Sequence, residues 1–107
     1  MKPLSWRPLA IQDADTAAGW YAEQGGAALE LQFIEALEKA SQHIAAHPTS
    51  GSLRYAERLK LNGLRFWPLK QFPYLIFYLE HEAYIDIWRV LHSESDIPAW
   101  IHDDAFL

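Results

Sequence analysis

The chain has 107 residues and a mass of 12.3 kDa, half of them hydrophobic and 14% aromatic, which suits one domain (1–107) with one core and excludes intrinsic disorder. It has no cysteine, so a disulfide scaffold, a thiolate zinc site and a cysteine nucleophile are excluded. Its net charge of −5 argues against direct nucleic-acid binding, and the lack of a long apolar run or of a signal-type N-terminus leads to the expectation of a cytoplasmic protein with no membrane partner.

In chain order, residues 2–9 read as a short edge-type strand bracketed by Pro3 and Pro8. Residues 13–23 read as a helix with Asp13 as N-cap, closed by Gly25 and Gly26. A stronger helix spans 27–46, where Phe33, Leu37, Ala40 and Ile44 repeat at steps of four and three and Pro48 ends the pattern. Two helices joined by two glycines predict an antiparallel helical hairpin. Residues 48–53 form a loop, and 54–61 stay open between a strand and irregular structure. Residues 64–69, 72–79 and 83–92 are strands, the last two a hairpin turning at Glu80-His81-Glu82. Strict alternation puts Ile85, Ile87, Arg89 and Leu91 on one side of the last strand, opposite Trp88, Val90 and His92. A short helix begins near Pro98. The fold class is α+β: an N-terminal strand, a helical hairpin, a three-stranded antiparallel meander and a short C-terminal helix. Its expected core is Phe33, Leu37, Ile44, Leu75, Phe77, Ile85 and Ile87.

The charge is segregated. Arg54, Arg58, Lys60, Arg65 and Lys70 face one acid, Glu57, in a basic island, while the flanking segments are acidic. The island is either a solvated surface with internal ion pairs or a patch for an anionic partner. Arg89 falls on an apolar strand face, so it either pairs with an acid or binds an anion. Arg65, Tyr78, Arg89 and His92 in one concavity would suit phosphate binding and acid–base work, although spacing alone does not bring them together. His43 and His47 have a metal-capable i, i+4 spacing but no third ligand, and read as helix-end histidines; His81 and His102 receive no role. No cofactor motif and no metal cluster is present in the sequence.

The segments FIEALEKASQHIAAHPTSGS, LNGLRFWPLKQFPYLIFYLE and YIDIWRVLHSESDIPAW together resemble the ParE branch of the RelE/ParE superfamily of toxins from type II toxin–antitoxin modules, a family that includes plasmid stabilisation proteins. The resemblance implies a toxin neutralised by a ParD-like antitoxin and aimed at DNA gyrase, working by binding rather than as an enzyme. RelE-like relatives instead cleave mRNA on the ribosome. Carried over to this chain, their catalytic set would be Arg65, Arg89 and His92. Glu94 stands where such a relative carries basic residues, which favours the binding branch. The partner-contacting residues are then Arg54, Arg58, Lys60, Arg65, Tyr78 and Arg89. An attenuated, non-toxic antitoxin-binding member is a further alternative.

Overall fold

The computed structural model describes residues 1–105, with side chains through Ile101, so His102 lies outside the described side chains. Strand β1 (Leu4–Trp6) leads into helix α1 (Pro8–Ala46) and a 3-10 turn (Pro48–Ser50). Strands β2 (Arg65–Pro68), β3 (Tyr74–Glu80) and β4 (Ile85–His92) follow, and helix α2 (Ile97–Ala105) ends the described chain.

Helix α1 begins before the expected cap. Pro8 opens it, where a missing N–H costs nothing and φ is already helical. Asp13 therefore sits beyond the first turn and caps nothing at the helix end. The two-glycine break is real: Gly26 adopts φ 76°, ψ −169°, a conformation open chiefly to glycine. The chain folds back there, because the Tyr21 and Phe33 rings stack with centroids 5.1 Å apart. Twelve residues of unbroken helix would hold them roughly 18 Å apart.

The meander forms as expected, but the sheet is mixed rather than all antiparallel. Its order is β1-β4-β3-β2, and β1 runs parallel to β4, pairing Leu4 with Ile85 and Trp6 with Ile87. A parallel pair needs a long crossover, which the helical hairpin and the β2–β3 pair supply. Strand β4 is consequently central and is buried from Ile85 to Leu91.

Both faces of the sheet are covered. Tyr21, Phe33, Ala40 and Ile44 of α1 pack with Ile76, Tyr78, Ile85, Ile87 and Val90. On the other face, Ile97 and Ile101 of α2 pack with Leu59, Leu64, Phe77, Trp88 and Leu91. Of the expected core, Phe33, Ile44, Phe77, Ile85 and Ile87 are buried, whereas Leu37 and Leu75 are only half-buried.

A β-bulge corrects the alternation expected along β4. Phe77 pairs with Arg89 and Tyr78 with Ile87, leaving Trp88 as the extra residue. Beyond it the faces exchange: Val90 joins Ile85 and Ile87, while Trp88 and Leu91 belong to the opposite cluster. Residues 53–61 resolve as turns. Leu61 N–H donates to Ala56 O (2.9 Å) and Lys60 N–H to Glu57 O (3.2 Å), with Lys60 at φ 56°. This is a Schellman closure with lysine at the left-handed position glycine usually takes. Among the described residues, no helix is long and apolar enough to cross a membrane.

Candidate partner-binding surface

Arg89 faces inward. Its Nε and Nη2 donate to Asp13 Oδ2 (2.7 Å) and Oδ1 (2.8 Å), a bidentate pair, and its Nη1 donates to Trp100 O (3.1 Å). Strand β1 ends at Trp6, so the outer edge of β4 is uncovered further along. The Asp13 carboxylate fills that gap and also accepts the Val90 N–H (3.0 Å). Arg89 is 3% exposed, so it joins α1, β4 and α2 and offers no guanidinium to a partner. A second internal pair, Arg7 with Asp86 (3.1 and 3.0 Å), closes the β1 side, with the Trp88 indole N–H donating to the same carboxylate.

Tyr78 is also internal. Its hydroxyl donates to Pro48 O (2.7 Å) and accepts the Gly51 N–H (3.1 Å), tying the segment after α1 to the sheet. Burial pushes its phenol pKa up, opposed by the Gly51 hydrogen bond and by nearby Arg65. Arg65, paired across to Tyr78, is half-buried and donates through Nη1 to Gly51 O (2.8 Å). Gly51 is required for space: a Cβ there would run into the Tyr78 hydroxyl oxygen.

The proposed catalytic set does not converge. Arg65 pairs beside Tyr78, and His92 beside Tyr74, four residues away along β3. At the strand rise that is about 13 Å along the sheet, plus the width of the intervening strand. His92 Nδ1 accepts the Glu94 N–H (3.1 Å), and its ring edge meets Tyr74. Of the i, i+4 histidines, His43 stacks on Trp67 at 4.0 Å and its Nε2 bonds Ser50 Oγ (2.8 Å), while the His47 ring lies 5.2 Å from that of His43. No group of three His, Cys, Asp or Glu among the described residues could hold a metal.

Arg54, Arg58 and Lys60 are exposed on the 53–61 turn. Lys60 and Arg65 line an open hollow of about 670 Å³ with Leu53, Glu57 and Asn62. This turn holds three of the exposed cations of the basic island; Lys70, after β2, is exposed as well. Two further hollows were not foreseen from the sequence. One lies between the first arm of α1 and the ends of β3 and β4, beside half-exposed Trp20 and Trp100. The other lies between the second arm of α1 and β2, with Lys39 and Lys70 on its rim.

The family model described as "ParE toxin of type II toxin-antitoxin system, parDE" matches residues 4–97, which is most of the chain. The chain belongs to the ParE toxin family. A chain of the chromosomal ParDE toxin–antitoxin system from P. aeruginosa has the same fold, with a TM-score of 0.73 at 21% identity, over 88% of this chain and 98% of that one. No curated protein matches the sequence. The family match runs from β1 to the first residue of α2, so it takes in both the buried Arg89–Asp13 pair and the exposed turn. The chain is thus a toxin-family member of the type II toxin–antitoxin class, on an α+β fold.

Proposed function

We propose that this ParE-family chain, acting in the cytoplasm as one toxin unit, arrests DNA gyrase by binding it and is neutralised by a cognate ParD-like antitoxin. The observation that carries the binding mode is the separation of Arg65, Arg89 and His92. Phosphoryl-transfer chemistry needs acid, base and charge stabiliser within hydrogen-bond reach of one phosphate. Here Arg65 holds Gly51 O, Arg89 holds Asp13 and Trp100, and His92 lies toward the other end of the sheet. Among the described residues, these three side chains do not form one site on which a ribosome-dependent nuclease reading could rest. Binding instead needs accessible anchors, and Arg54, Arg58 and Lys60 provide them in a protein of net charge −5. An antitoxin tail that is disordered when free would wrap such a surface over a large area, with its acidic residues against this turn.

The test is gyrase supercoiling with purified protein. Supercoiling is expected to fall with added protein and to recover when the cognate antitoxin is supplied. Transcripts are expected to stay intact when the protein is induced in cells. Undiminished supercoiling at large excess, or codon-positioned cuts in mRNA that His92→Ala abolishes, would overturn the proposal.

A further inference from the structure

The hollow between the second arm of α1 and β2 has the build of a peptide-docking site. It holds about 490 Å³. Its floor is small and apolar, with Ala36 and Ala40 from the helix and Leu69 from the end of the strand. One wall is Trp67, half-buried and stacked on one face by His43 at 4.0 Å and 19°. That contact fixes the indole in place before anything binds, so little side-chain freedom remains to be lost on association.

The rim carries the charge. Lys39 and Lys70 stand exposed on its two sides, and neither has an ion-pair partner among the described residues. Glu35, one helical turn before Lys39 and also on the rim, does not pair with it. Gln71, next to Lys70, is held at φ 71° in the left-handed region, a costly conformation for a residue with a side chain. In a chain of net charge −5, two free lysines flanking an apolar slot select for a negatively charged visitor.

The edge strand beside the slot limits how that visitor binds. Phe66 already exchanges both backbone hydrogen bonds with Ser52, and Pro68 has no N–H to offer. Extension of the sheet by an added strand is blocked along β2. The occupant must be held by side chains.

We propose that this hollow takes an acidic peptide segment, inserting one apolar or aromatic side chain over Ala36 and Ala40 while flanking carboxylates meet Lys39 and Lys70. The site is separate from the basic 53–61 turn and does not depend on gyrase being the target.

The probe is a random 12-residue peptide library selected on the full chain and counter-selected on the Lys39→Glu/Lys70→Glu variant, whose exposed changes leave the core untouched. The retained peptides should be rich in Asp and Glu around a single Leu, Phe or Trp. The best of them should bind the variant about fivefold or more weakly, since two exposed pairs are replaced by repulsions. Binding should weaken with added salt, survive in Arg54→Glu/Arg58→Glu, and shift the amide resonances of Ala36 and Ala40 and the Trp67 indole resonance. The proposal is overturned if no peptides distinguish the wild type from the variant, or if those that do lack acidic residues. It is also overturned if their resonance shifts fall on the 53–61 turn, or if a single-stranded oligonucleotide competes for the slot as well as the peptide does. Failure here leaves the supercoiling outcome untouched, and the converse also holds.

Discussion

Arg89 turns inward onto Asp13 and the Trp100 carbonyl, whereas Arg54 and Arg58 stand in water on a turn whose apolar residues, Leu59 with Tyr55, Ala56 and Leu61, pack inward. The side chains are chemically identical, and the position of the counter-charge decides what each one does. A buried guanidinium with a bidentate carboxylate fixes the architecture, because removing either partner strands the other in a low-dielectric interior. An exposed guanidinium adds little to folding and remains available to a partner.

The largest expected effect follows from breaking the inward pair. Asp13→Ala takes the bidentate carboxylate away from Arg89 and the acceptor away from the Val90 N–H, and should cost about 3–5 kcal/mol. A urea titration measures it, and an unchanged midpoint would show that Asp13 does not hold Arg89. Replacing both partners by apolar residues of similar size should recover only part of the loss, because the Val90 N–H still lacks its acceptor.

Gly51→Ala comes next. The new methyl would meet the Tyr78 hydroxyl oxygen and the ring carbon that bears it, and should cost about 1–3 kcal/mol, read as a lowered thermal midpoint. Full stability in this variant would mean that the Pro48–Gly51 segment moves freely over the sheet.

Tyr78 supplies a pH-dependent version of the same contact. Its pKa is raised above the ordinary tyrosine value, chiefly by burial, so the folded state prefers the neutral phenol. That contribution is intact below the unfolded tyrosine pKa of about 10 and is lost as the pH climbs through the raised value. Denaturant titrations from pH 8 to 11 should show stability falling at the alkaline end, and falling less in Tyr78→Phe. Parallel curves for the two proteins would remove Tyr78 as a cause.

The smallest effect on folding belongs to the exposed arginines. Arg54→Glu/Arg58→Glu should change stability by no more than about 0.5 kcal/mol while weakening capture by the antitoxin. A large loss of stability with unchanged capture would reverse the roles assigned to the two regions.

What the sequence revealed follows the range of the interactions involved. The helical hairpin was readable because Gly25-Gly26 and the Phe33–Ile44 stripe are local signals, and the β3–β4 hairpin because its apolar runs flank a polar turn. Exposure of Arg54, Arg58 and Lys60 was readable for the same reason. The bulge at Trp88 was not, since alternation assumes one residue per pairing step and nothing local in IDIWRVLH marks the extra one. The partner of Arg89 lay 76 residues away, and Asp13 could not be told from Asp15 without the helix start at Pro8. Arg89 at an apolar position did signal that some acid must be near. The internal duty of Tyr78 required knowing that Pro48 and Gly51 fold against β3. The slot beside Lys39 and Lys70 required the helix and the edge strand to be placed side by side.

The central claim is that this toxin-family chain stops its target by occupying it. Gyrase supercoiling in the presence of the purified chain tests this most directly. Relaxed DNA should accumulate as the chain is added, equally with wild type and with His92→Ala. Full supercoiling at large excess, or inhibition that disappears in His92→Ala, would contradict the account.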